Sequence, residues 1–217
     1  VSYDVFRDFA PVTLADRSPG VLVVHPSLVV NSVRELIALA KAKPAALNYS
    51  TGLPGSSNHL AAELFKAMAG VDIARVNYKG AGPALTALIG GETQLMFATA
   101  GSVAPQLKSG RIRALAVTGL QRSALAPDLP TVAEAGLPGY RSESTHAVFA
   151  PARTPVAIIA LLQREIARTL ARTEVKERLL QAGIEVVGST PDELTAAMRA
   201  ETMQLGQVIH AAGIQIE

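Results

Sequence analysis

Leu47-Asn48-Tyr49-Ser50-Thr51-Gly52-Leu53-Pro54-Gly55-Ser56-Ser57-Asn58-His59-Leu60 reads as a strand, a Gly-rich loop and the start of a helix. The helix carries Leu60, Leu64, Phe65 and Met68 at i, i+3/i+4 spacing on one side, and Gly70 closes it. The same order follows at once. Residues 73–77 read as a strand, and Tyr78-Lys79-Gly80-Ala81-Gly82-Pro83 as a second Gly-rich loop. Pro83 suits the first position of a helix that runs through Leu88 and stops at Gly90-Gly91. Two strand–loop–helix units in succession predict an α/β fold with a mostly parallel sheet.

Working outward, Pro11-Val12-Thr13-Leu14-Ala15 and Val21-Leu22-Val23-Val24 read as two short buried strands. Ser32 and Glu35 have capping-box spacing ahead of Val33, Leu36, Ile37 and Ala40, and Pro44 ends that helix. Downstream, residues 94–97 read as a strand, Pro105 as the start of a short helix, and residues 112–118 as a strong strand. The Pro- and Gly-rich segment 121–140 holds a one-turn helix at Thr131-Val132-Ala133-Glu134. Residues 147–150 read as a strand, and Thr154-Pro155 opens a helix with Ile158, Ile159, Leu162 and Ile166 facing inward. A second helix covers 174–182 and a short strand 185–187. Thr190 with Glu193 caps a last helix that reaches about Ala212, with Leu194, Met198, Leu205 and Ile209 as its stripe.

Composition excludes several classes. With 217 residues, 49% of them apolar, the chain is long enough to bury a core, and it is too apolar for intrinsic disorder. Zero Cys removes disulfides, thiolate metal sites and Cys nucleophiles. The net charge is only +2, there is no Trp, and no basic stripe is interleaved with aromatics, so nucleic acid is not an expected partner. No apolar stretch has the length of a membrane span. Val1-Ser2-Tyr3-Asp4 has neither the charged start nor the apolar run of a signal peptide.

The two Gly-rich loops share one design. Each leaves the carboxyl end of a strand and enters a helix, where unpaired backbone N–H groups and the positive end of the helix dipole suit a carboxylate or phosphate. Thr51, Ser56 and Ser57 could add hydroxyl hydrogen bonds. The plainer alternative is that both are ordinary turns whose Ser and Thr cap helices. Neither has P-loop or dinucleotide-fingerprint spacing. Ser56 or Ser57 beside His59 is the one candidate nucleophile–base arrangement, but no orienting acid is evident. His59 reads better as a neutral hydrogen-bonding residue that fixes its loop. His25, His59, His146 and His210 are too scattered for a metal site, and no cofactor is expected. Lys79 is either a reactive amine or a surface charge beside a Gly turn.

An ordered set of segments resembles a known family. Tyr3-Asp4 with Asp8-Phe9-Ala10-Pro11-Val12-Thr13-Leu14 looks like the first strand of the set. Asn48-Tyr49-Ser50, His59-Leu60-Ala61-Ala62-Glu63-Leu64, Tyr78-Lys79-Gly80 and Leu95-Met96-Phe97 follow. Gly110-Arg111-Ile112-Arg113-Ala114-Leu115, Leu129-Pro130-Thr131-Val132-Ala133-Glu134-Ala135-Gly136, Phe149-Ala150-Pro151 and Gly188-Ser189-Thr190-Pro191 complete it. Together they resemble the Bug proteins, periplasmic solute-binding receptors of tripartite tricarboxylate transporters.

The resemblance implies a two-lobed type II periplasmic binding fold that closes on a small carboxylate without chemistry and delivers it to membrane transporter subunits. The lobes would be residues 1–20 with 141–217, and residues 21–140. The implied ligand-binding set is Ser50, Thr51, Gly52, Gly55, Ser56, Ser57, His59, Tyr78, Lys79, Gly80, Ala98, Thr99 and Thr145. Many members carry an acidic residue where Ala98-Thr99 stands and an aromatic one at Thr145, so a less acidic, roomier pocket is expected. Members also have a leader and an upstream part of lobe 1. Without them the lobe would be incomplete and its open strand edge would invite dimerisation or domain swapping. The alternatives are a signalling or binding-deficient receptor, and a hydrolase using Ser56 or Ser57 with His59.

Overall fold

The structure, a computed structural model, describes residues 3–124 and 126–211. The elements in chain order are α1 (Val5–Asp8), β1 (Phe9–Val24), α2 (Val33–Ala42), β2 (Asn48–Thr51), α3 (Ser57–Ala69), β3 (Ala74–Asn77), α4 (Ala81–Ile89) and β4 (Leu95–Thr99). Then come α5 (Ala100–Lys108), β5 (Arg113–Val117), β6 (Glu143–Pro151), α6 (Val156–Leu170), α7 (Thr173–Gln181), β7 (Glu185–Val186) and α8 (Pro191–Ala211). The expected last helical residue, Ala212, lies outside the described residues. The chain divides into two compact units. One holds the described residues up to Ser18 together with Ser144–Gln204; the other holds Pro19–Glu143 and the described residues from Leu205 on.

The larger unit is built on a sheet of order β3-β2-β4-β1-β5. Val21-Leu22-Val23-Val24 explains its two-sided core, because successive side chains of a strand point to opposite faces. Leu22 and Val24 enter one apolar cluster with Leu36, Phe65, Phe97 and Tyr140. Val21 and Val23 enter the other with Leu88, Met96, Val103 and Val117. Helices α2 and α3 thus cover one face, and α4 and α5 the other. On the first face the rings of Phe65, Phe97 and Tyr140 pack at centroid distances of 5.5–6.3 Å. The Tyr140 hydroxyl donates to the Ala61 carbonyl at 2.9 Å.

The sheet is mixed, which corrects the mostly parallel expectation. β2 runs parallel to β3 and β4, but β1 runs antiparallel to both β4 and β5. β1 is not joined to its neighbours by a strand–helix–strand crossover; it arrives from the other unit, so the handedness argument that makes such sheets parallel does not apply to it. The two expected strands at 11–15 and 21–24 are one strand of 16 residues, with Asp16–Gly20 extended between them. Chain entry and exit of the larger unit are tied together. Thr118 Oγ1 accepts from Gly20 N–H at 2.8 Å and donates to the Ser142 carbonyl at 2.6 Å.

β1 also pairs with β6 and, antiparallel, with β7, opposing Asp16 to Val186 and Arg17 to Glu185. The apolar cluster of the smaller unit is Val12, Ala150 and Ile159, joined by Ala10 and Ile166. Thr13 Oγ1 donates to the Ser189 carbonyl at 2.7 Å, and Ser189 Oγ accepts from Leu14 N–H.

Four further expectations are corrected. Asp4 caps the one-turn helix α1, accepting from Phe6 and Arg7 N–H, so the strand begins only at Phe9. Helix α5 starts five residues before Pro105, because fully buried Val103 anchors its first turn in the core. Residues 132–134 form turns rather than a helix and Thr131 bridges to Val117, although the reciprocal cap is made: Glu134 N–H donates to Thr131 Oγ1, and Thr131 N–H to Glu134 Oε2. On α6 only Ile159 is buried; Ile158 and Leu162 are 44% and 40% exposed.

Candidate functional site

Strands β2, β3 and β4 lie side by side, and each is followed by a helix at its carboxyl end, β2 and β3 through the two Gly-rich loops and β4 directly. The three helix starts, at Ser56, Gly80 and Thr99, make no side-chain cap hydrogen bond. A helix leaves its first amides unsatisfied, and Ser or Thr at this position normally covers one of them. Here Ser56 Oγ has no hydrogen-bond partner despite being shielded from solvent, and the same holds for Ser50 Oγ and Thr51 Oγ1. Thr99 Oγ1 donates instead to Ser102 Oγ at 3.0 Å.

The structure brings the two Gly-rich loops into contact. A Cβ built on Gly52 would stand 3.3 Å from the Gly80 carbonyl carbon and 3.5 Å from Ala81 N. Gly52 is therefore what lets the loop after β2 lie against the loop after β3. Tyr78 N–H donates to the Thr51 carbonyl at 2.9 Å and fixes the same pair of loops. Gly55 and Gly80 adopt φ of 76° and 142°, values that residues with a Cβ rarely reach. No acidic side chain occurs in 50–57, 78–83 or 98–99, and Lys79 is exposed. The Tyr78 hydroxyl donates to Glu92 Oε2 at 3.2 Å; burial, with that bond, raises the phenol's pKa.

His59 is fully buried in the first turn of α3. Its Nδ1 accepts from Gly55 N–H at 3.0 Å, and its Nε2 lies 2.6 Å from Arg75 Nη1. Burial first, and the Arg75 charge second, push its pKa down, so the ring is neutral. Ser57 Oγ contacts Asn58 Oδ1, and among the described residues no hydrogen bond joins His59 to a serine. The ring fixes its loop, and the nucleophile–base pair is not formed. Behind it, Glu63 Oε1 accepts from the Tyr49 hydroxyl and from Lys66 Nζ.

Ser50 and Thr51 are buried beneath the loop, Gly52, Gly55 and Ser56 form it, and Ser57 is exposed on the helix start. Ala98 is buried in the second core, packed with the Val21 and Val103 cluster, so its side chain belongs to the interior; the neighbouring Thr99 is exposed. Thr145 stands in the other unit, exposed on β6. Sequence reasoning missed Arg75, whose only advance signal was its place in a strand following a helix that carries a first-turn His. Among the described residues, no three His, Cys, Asp or Glu side chains gather to hold a metal ion. None of the described helices is long and apolar enough to cross a membrane.

Residues 1–214 match the model of the tripartite tricarboxylate transporter family receptor. The protein of the tcbD-tcbE intergenic region in Pseudomonas sp. strain P51 is 36% identical over 210 residues, which are 96% of this chain and 62% of that protein. Protein BugT of Bordetella pertussis is 34% identical over 217 residues, 100% of this chain and 67% of BugT. This chain therefore spans less than two thirds of the first of these relatives. The solved structure of R. palustris Rpa4515 with adipate is 39% identical and superposes with a TM-score of 0.82, covering 98% of this chain and 71% of that one. The fold is that of the type II periplasmic binding proteins, and the family is one of receptors rather than enzymes. By residues matched, by identity and by fold, the chain belongs to the Bug-type receptors of the tripartite tricarboxylate transporter family.

Proposed function

We propose that this chain belongs to a periplasmic receptor that captures a small carboxylate and hands it to the membrane subunits of a tripartite transporter. The observation that carries the reading is the set of three adjacent helix starts without side-chain caps, with partnerless hydroxyls at Ser50, Thr51 and Ser56 and no acidic residue within 50–57, 78–83 or 98–99. Such an arrangement offers several N–H and O–H donors and positive dipole ends to one anion. The ligand-binding residues would be Ser50, Thr51, Gly52, Gly55, Ser56, Ser57, Tyr78, Lys79, Gly80 and Thr99. His59 would position the loop rather than touch the ligand. Residues 21–140 would act as one ligand-holding lobe. Adipate is the natural first probe, because the relative Rpa4515 was solved with it.

The test is a thermal-shift titration of the chain with adipate at fixed salt, with 1,6-hexanediol as the uncharged control. At 100 times its dissociation constant a ligand stabilises by roughly 2.7 kcal/mol, a shift of several degrees for a chain of this size. A saturable shift with adipate or another small acid, absent with the diol, supports the reading. No shift with any mono-, di- or tricarboxylate refutes carboxylate capture by this chain.

A further inference from the structure

Among the described residues, the ring nitrogens of His59 have two donors and no acceptor within hydrogen-bond distance. Gly55 N–H lies 3.0 Å from Nδ1, and Arg75 Nη1 lies 2.6 Å from Nε2. A backbone amide and a guanidinium can only donate. A neutral imidazole has one ring lone pair and one N–H; the protonated ring has no lone pair at all. At any moment the ring therefore accepts from one neighbour and turns an N–H toward the other.

We propose that the Gly55 amide and the Arg75 guanidinium compete for the single lone pair of His59, which makes Arg75 a positioning residue for the loop 52–56. When Nδ1 carries the lone pair, Gly55 N–H is held. When Nε2 carries it, Arg75 is held and the Gly55 amide is released to another acceptor. Arg75 is exposed on β3, so its side chain has room to leave, while His59 is locked by burial. The other charged groups near the ring lie on α3 and do not relieve the conflict. Glu63 Oε1 already serves the Tyr49 hydroxyl of β2 and Lys66 Nζ, and Lys66 is a further cation. Nothing in this competition needs a ligand, so it stands or falls separately from carboxylate capture.

The experiment labels the histidines of the chain with nitrogen-15 and reads the His59 ring tautomer at pH 8 by long-range proton–nitrogen correlation. Gly55 amide hydrogen exchange is measured alongside. The expected result is a mixture of both neutral tautomers in the unmodified chain. In Arg75→Met the ring collapses to the form protonated at Nε2, and Gly55 exchange slows roughly tenfold, the equivalent of one hydrogen bond made permanent. Arg75→Lys, which keeps a donor, retains the mixture. His59→Asn offers a side-chain oxygen to Gly55 but none to Arg75, and keeps the slow exchange. A single tautomer in the unmodified chain that Arg75→Met leaves unchanged, with Gly55 exchange equal in all variants, overturns the proposal.

Discussion

Gly52→Ala is the most direct probe of the contact between the two loops. The added Cβ would meet the Gly80 carbonyl carbon at 3.3 Å, the Gly80 Cα at 3.4 Å and Ala81 N at 3.5 Å. All three are backbone atoms, so no side chain can rotate away; one loop has to retreat by a few tenths of an ångström. Forcing an extra methyl into a packed site costs roughly 1–3 kcal/mol. Replacing Gly by Ala returns roughly 0.4–1 kcal/mol by restricting the unfolded chain, and Gly52 lies outside the left-handed region, so no backbone strain is added. The net expectation is a loss of about 1–2 kcal/mol. For a domain of this size that lowers Tm by about 2–8 °C. Gly82→Ala is the matched control. It lies in the first turn of α4 with nothing within 4 Å of the new Cβ, so it should gain about 0.4–1 kcal/mol. Scanning calorimetry on both variants decides the matter. A Gly52→Ala protein at or above the parent Tm refutes the claim that this glycine sets the loop spacing.

Phe65→Ala removes the ring shared by Phe97 and Tyr140 at full burial, and denaturant unfolding should show a loss of about 3–5 kcal/mol. Thr118→Val leaves the Gly20 amide and the Ser142 carbonyl without their shared partner; the expected cost is about 1–3 kcal/mol, and the parent stability on equilibrium unfolding would contradict it. The lowered pKa of His59 has a definite sign. The unfolded chain takes up a proton near pH 6.5 that the folded ring refuses, so this contribution is complete above about pH 6.5 and is lost as pH falls toward the lower folded value. Comparing stability against pH for the parent and His59→Asn should show that acid slope only in the parent.

Most strand and helix positions were legible because local rules act on them. Ser32, Gly70 and the Thr190–Glu193 pair mark helix ends through hydrogen bonds made within a few residues. The two Gly-rich loops were legible for the same reason: a strand, small residues and a helix start in sequence order. What the sequence hid depends on distant partners. The direction of β1 follows from its arrival out of another unit, which no window around Val21 records. Pro105 suggested a helix start, but Val103, held in a core assembled from β1, β4 and β5, carries the helix upstream of it. Ala98 looked like a site position beside Thr99, yet strand alternation turns its methyl into the interior. The Arg75–His59 contact joins two residues sixteen apart on different elements, and neither has a motif that announces the other.

The clamp at Thr118 has a kinetic consequence. The smaller unit closes contacts across a very long span of chain; Thr13 and Ser189 are 176 residues apart. Loop closure over such a span is slow and costly when the intervening chain is loose. Once the larger unit has formed, Thr118 holds Gly20 and Ser142 on one oxygen, and the 121 residues between them no longer count as slack. The remaining search is short-circuited, and β6 is delivered beside β1 as though a hairpin joined them. The larger unit should therefore fold first and template the smaller one. Thr118→Val should slow the second phase of refolding more than the first.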